Sequence, residues 1–152
     1  MKTIYKTSTL MLLALTMFSA CSKKNTPAPA PGISVLATNW VTDQWGGVND
    51  NVLLFTIDKT TAKGTVDAIS GNSFGFSAGT VIFSNIKPNG DGTFSCSGTY
   101  NPIGSGGLLT RPATMSLQNG NTQLTVYYPA LNSSYPAITY VYQQTPYTVL
   151  GS

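Results

Sequence analysis

Two thiols, Cys21 and Cys96, and five carboxylates, Asp43, Asp50, Asp58, Asp67 and Asp91, are the first side chains to weigh for chemistry. The sequence has no histidine, and all five of its acids are aspartates. A Ser-His-Asp triad and a Cys-His pair are therefore impossible, and the commonest general bases are missing. Two aspartates could form a glycosidase-like pair. Asp43, Asp50, Asp58 and Asp91, however, sit in or beside turn-like stretches, where Asp serves local backbone hydrogen bonding. Asp67 lies inside a strand-like run, opposite in parity to Val66 and Ala68, which predicts solvent exposure. Zinc lacks its usual ligands. Asn89-Gly90-Asp91 and Asn49-Asp50-Asn51 offer oxygens, but neither has the acids and closing glutamate of an EF-hand. No enzyme activity, metal or other cofactor is expected.

The two thiols have different surroundings. Cys96 alternates with Phe94 and Tyr100, which predicts a buried small hydrophobe. Cys21 ends the stretch Leu15-Thr16-Met17-Phe18-Ser19-Ala20-Cys21, after a basic start at Lys2 and Lys6. The apolar run Leu10–Ala20 falls well short of the ~20 residues that span a bilayer as a helix. This arrangement resembles a bacterial lipoprotein signal, with Phe18 where that pattern usually has leucine. The resemblance implies removal of residues 1–20, acylation of Cys21 and anchoring to a membrane. It leaves Cys96 as the sole thiol, so no intrachain disulfide is expected. Residues 21–32 then form a tether whose Pro-Ala alternation favours an extended polyproline path, ~3.1 Å per residue and roughly 30 Å in all. Ser22 after the cysteine implies sorting to the outer membrane. Lys23-Lys24, in place of acidic residues, implies a periplasm-facing domain.

Charged residues make up only 9% of the sequence, and the net charge of +3 is unevenly placed. Lys2, Lys6, Lys23 and Lys24 belong to the leader and tether. From Ile33 onward Lys59, Lys63, Lys87 and Arg111 face five aspartates. Phosphate backbones are gripped by clustered cations; none cluster here, and nucleic acid is not an expected partner.

The elements that must carry any site are strands. Leu53, Phe55 and Ile57 give Val52–Ile57 one apolar face. Gly64–Ile69, Thr80–Lys87, Thr93–Tyr100, Leu108–Gln118, Thr122–Tyr128 and Ala137–Gln143 follow, with a first strand in Leu36–Thr42. Asn89-Gly90-Asp91-Gly92 and Asn119-Gly120 supply the positive φ of tight hairpins. No segment holds a sustained 3.6-residue apolar period, so no helix is expected after the leader. About eight antiparallel strands in an up-and-down meander predict one all-β domain over residues 33–152. A closed or nearly closed barrel is favoured over a two-sheet sandwich, because closure removes edges that few charges could guard.

Trp40 near the start of the first strand and a meander ending in an aromatic strand resemble the lipocalin-like (calycin) families. They are similar in particular to small lipocalin-like lipoproteins of Bacteroidota. The resemblance spans residues 36–143 and implies a barrel. The family's glycine two residues before the tryptophan is Thr38 here, and Ala137–Gln143 lacks the family's arginine.

Aromatic rings complete the candidate set. Trp40, Trp45, Phe74, Phe76, Tyr127 and Tyr135 could stack on a ligand or anchor an interface, whereas Tyr128, Tyr140 and Tyr142 read as packing. One expected role is a binding module for a small apolar ligand or a glycan, with Gly64, Ala68, Gly98 and Ala113 lining its cavity. The alternative is a solid-cored structural lipoprotein that docks an envelope protein partner.

Overall fold

The structure, a computed structural model, describes residues 31–42, 52–70, 75–102 and 107–146. Eight antiparallel strands follow one another around a closed barrel: β1 Asn39–Thr42, β2 Val52–Asp58, β3 Lys63–Ser70, β4 Val81–Pro88, β5 Thr93–Tyr100, β6 Leu109–Gln118, β7 Gln123–Tyr128 and β8 Ile138–Thr145. Every strand pairs with its sequence neighbours, and β1 closes the ring against β8, with Asn39 opposite Thr145 and Thr42 opposite Tyr142. The meander expected from the alternating pattern is therefore present as a closed barrel rather than a sandwich.

The first strand is shorter than expected. Ile33–Leu36 curl into a 3-10 turn, and Leu36, with no exposed surface, tucks under the barrel. Its carbonyl accepts a hydrogen bond from Trp40 Nε1 at 3.0 Å. A strand beginning at Leu36 would forfeit both the plug and that bond. A second 3-10 turn, Asn119–Asn121, joins β6 to β7, with all three residues at positive φ.

The barrel has two unlike ends. At one, β2–β3, β4–β5 and β6–β7 are joined by the short connections 59–62, 89–92 and 119–122. Asp58 accepts hydrogen bonds from the Thr60 and Thr61 amides, and Asp91 accepts one from the Thr93 amide. With the Leu36 plug, these turns seal that end. At the other end β1 and β2, β3 and β4, β5 and β6, and β7 and β8 are separated by longer stretches of sequence, of which 75–80, 101–102, 107–108 and 129–137 are described.

Between the ends the interior is filled. Trp40, Phe55, Phe83, Phe94, Met115, Leu124 and Val126 are all essentially inaccessible. Each such burial contributes about 1.5–3 kcal/mol. Phe55 meets Tyr142 edge-on with ring centroids 4.9 Å apart, and Phe83 lies 5.4 Å from Phe55. Two of the small residues expected to line a cavity instead lie beneath rings. A Cβ on Gly64 would stand 2.8 Å from Phe83, and one on Gly98 would stand 2.5 Å from the Tyr128 hydroxyl. Ala113 is buried in the same core.

Ala68 faces the other way, because β3 bulges. Leu54 opposes Ala68 but Phe55 opposes Val66, so Asp67 is the extra residue. Rather than standing free in solvent, Asp67 is half-buried, with Oδ2 2.6 Å from Thr56 Oγ1. Asn39 Oδ1 stands 2.6 Å from the same hydroxyl. A hydroxyl carries one proton, so the consistent arrangement has Thr56 donating to Asp67 and the Asn39 amide turned to donate to Thr56. Beyond the bulge, Val41, Val52, Leu54 and Ala68 line an apolar groove of about 410 Å³ on the barrel's outer wall.

Candidate functional site

Arg111 occupies a position that strand alternation makes internal. It shares its parity on β6 with Ala113 and Met115, both buried. Across the β5–β6 ladder it opposes Gly98, whose missing side chain leaves room for the rings above. Tyr100 comes from the end of β5, Tyr128 from the end of β7 and Tyr140 from the beginning of β8. Strand direction alone thus gathers one cation and three phenols just inside the end with the long connections.

Arg111 is only 4% exposed. Its Cζ lies 4.8 Å from the centre of the Tyr100 ring and 5.4 Å from that of Tyr128. Such cation–π contacts are worth about 0.5–2 kcal/mol each and leave the in-plane N–H groups unused. Nη1 donates to the Tyr135 carbonyl at 3.4 Å and Nη2 to the Pro136 carbonyl at 3.2 Å. Nε has no hydrogen-bond partner and is buried. Among the described residues no carboxylate bonds to the guanidinium: Asp58 and Asp91 cap turns at the sealed end, and Asp67 is held by Thr56 on the outer wall. Asp43 and Asp50 lie outside the described residues.

Two phenols beside this cation, Tyr128 and Tyr140, are held in their protonated form at neutral pH. Burial pushes the Tyr128 hydroxyl well above its ordinary range. Burial also raises Tyr140, with Tyr100 adding to the rise and Arg111 opposing it. Tyr100 and Tyr128 have ring centroids 4.8 Å apart, and Tyr128 meets Tyr140 edge-on at 5.9 Å. The cluster is an aromatic wall of three tyrosine rings around one guanidinium. It can orient and hold a ligand; it contains no group placed to act as a base.

The aromatic candidates from the sequence separate. Trp40 is fully buried toward the sealed end, bonded to Leu36 and apart from the Arg111 cluster. Tyr135 lies half-buried in the 129–137 connection and brings its carbonyl to Arg111. Phe76, in the 71–80 connection at the same end, is half-buried against the core. Tyr127 points outward from β7 and is 45% exposed. Trp45, Phe74 and Cys21 lie outside the described residues. Cys96 is a buried free thiol whose Sγ lies 3.7 Å from the Ala113 carbonyl. Among the described residues, no three metal-ligating side chains gather.

Sequence reasoning missed Arg111 as a site residue. Its signal was its parity with Ala113 and Met115, which puts the folded region's sole arginine on the inner face of a strand. Comparison with protein-family models, with curated proteins and with solved structures finds no match to this chain.

Proposed function

We propose that this chain is a lipid-anchored, non-catalytic binding module of the bacterial cell envelope. Its ligand, a small apolar molecule or a glycan, is held at the end of the barrel that carries the long connections. The observation that carries this reading is the contrast between the two ends. One is plugged by Leu36 and tied by three short turns, while the other combines long connections with a cluster of Arg111, Tyr100, Tyr128 and Tyr140. Chemistry points the same way, since the sequence supplies neither histidine nor glutamate and its one thiol beyond Cys21 is buried. The Cys21 signal supports a lipid anchor, Ser22 after it supports the outer membrane, and Lys23-Lys24 supports a periplasm-facing domain.

Native mass spectrometry of gently purified protein tests the binding role. A small molecule bound in substoichiometric or greater amount is the expected result; bare protein from several growth conditions would overturn it. Fractionation tests the anchor. Cys21→Ala is expected to leave the membrane fraction and lose the acyl mass, and retention of both would refute lipidation at that residue.

The filled interior favours a second reading, a solid-cored lipoprotein that binds an envelope protein. Gly64 and Gly98 lie under Phe83 and Tyr128 rather than under open space. Under that reading, pull-down from solubilised envelope returns a stable protein partner and native spectra show no small ligand.

A further inference from the structure

We infer that Arg111 is the anchor of an oxyanion site, taking the carboxylate or phosphate group of a ligand at the long-connection end of the barrel. The inference rests on the binding role proposed above and specifies the charge of the ligand.

Arg111 is 96% buried, and among the described residues its Nε has no partner and its hydrogen-bond acceptors are two main-chain carbonyls. An interior charge is normally paired, because desolvation without a counterion is costly. The guanidinium is also the side chain best shaped for an oxyanion. Its Nε–H is one half of the two-donor edge that a carboxylate or phosphate takes side-on. Contact with the Tyr100 and Tyr128 rings holds the group in place without consuming that edge.

The present acceptors are easily exchanged. The Tyr135 carbonyl already accepts a shorter bond, 2.9 Å, from the Leu131 amide, so it stays satisfied when Arg111 leaves it. Pro136 is exposed, and water can replace the guanidinium at its carbonyl. The connection is held mainly by its own bonds: Asn132 Oδ1 accepts from the amides of Ser134 and Tyr135, and Asn132 bridges to Tyr135. It can therefore shift as a unit without breaking a strand ladder. An entering oxyanion exchanges two long bonds to neutral carbonyls for shorter bonds in which donor and acceptor are both charged and the geometry can be bidentate.

The test is thermal unfolding of the full chain in sodium phosphate, acetate or benzoate, each against sodium chloride at matched ionic strength. The expected result is a saturable rise in midpoint with at least one oxyanion. A response to phosphate alone assigns a phosphoryl group, and a response to acetate and benzoate assigns a carboxylate. Benzoate exceeding acetate adds the tyrosine wall to the site. Arg111→Met should weaken the response about 100-fold, and Arg111→Lys, which keeps the charge but loses the fork, about 10-fold. If the methionine variant fails to fold, the lysine variant carries the comparison. No response beyond chloride, or an equal response in the folded variants, overturns the inference. A neutral native ligand with no oxyanion response would also overturn it while leaving the binding role intact. An Arg111-dependent response in protein that carries no native ligand would do the reverse.

Discussion

Tyr128 on β7 reaches over β6 to lie on Gly98 of β5, so closely that a Cβ on Gly98 would stand 2.5 Å from its hydroxyl and 2.7 Å from its ring edge. The glycine is thus a packing requirement rather than a turn or a cavity wall. It lets a buried phenol cross the face of the sheet beside Arg111.

Gly98→Ala is expected to destabilise the fold by about 1–3 kcal/mol, the usual cost of forcing atoms into a filled core. Gly64→Ala should do the same, since its added methyl meets Phe83 Cβ at 3.2 Å as well as the ring. Denaturant midpoints of the two variants check this. Unchanged midpoints would show that the interior has the free space the rings are described as filling.

Acid should loosen the sealed end first. Hydrogen bonds from the Thr61 amide and hydroxyl hold Asp58 below its ordinary value of 3.8, and bonds from Thr93 do the same for Asp91. A carboxylate whose folded value is lowered stabilises the native state fully above its unfolded value. That contribution is lost as pH falls through the folded one. Thermal midpoints should therefore fall as pH drops from about 5 to about 2, and Asp58→Asn with Asp91→Asn should flatten the decline. An equally steep decline in the double variant would place the acid sensitivity elsewhere.

Cys96 should be chemically silent in the folded protein. Burial pushes its thiol up to about 12, and the thiolate is the reactive form. At about pH 8 an alkylating reagent is expected to leave Cys96 untouched until denaturant is added. Peptide mapping of the labelled protein reads this directly, and rapid native labelling would contradict the buried placement.

Most of the scaffold was legible because a period of two is a strong signal when one face is buried. Phe94, Cys96 and Tyr100 on β5 and Leu124, Val126 and Tyr128 on β7 all face inward as their alternation implies. Asn-Gly and Asp-Gly marked turns because positive φ restricts which residues can stand there; Gly90, Gly92 and Gly120 adopt it. The Ile33–Leu36 turn was not legible, because four residues are too few to display a helical period. The Asp67 bulge was hidden for a related reason. One inserted residue reverses parity, so Ala68 moved from the expected interior to the outer groove. At the site, Tyr135 brings its main-chain carbonyl to Arg111, not the ring its residue type draws attention to. Arg111 was passed over because a lone charge on a strand ordinarily faces water.

The pairing of Asn39 with Thr145 brings the first and last strands' outer ends side by side beneath the barrel. Any stalk entering ahead of Ile33 therefore joins the molecule at its plugged base. The end that holds Arg111 lies on the opposite side, away from that point. With an anchor at Cys21, the barrel end nearest the lipid would be the plugged one, and the Arg111 cluster would sit at the far end.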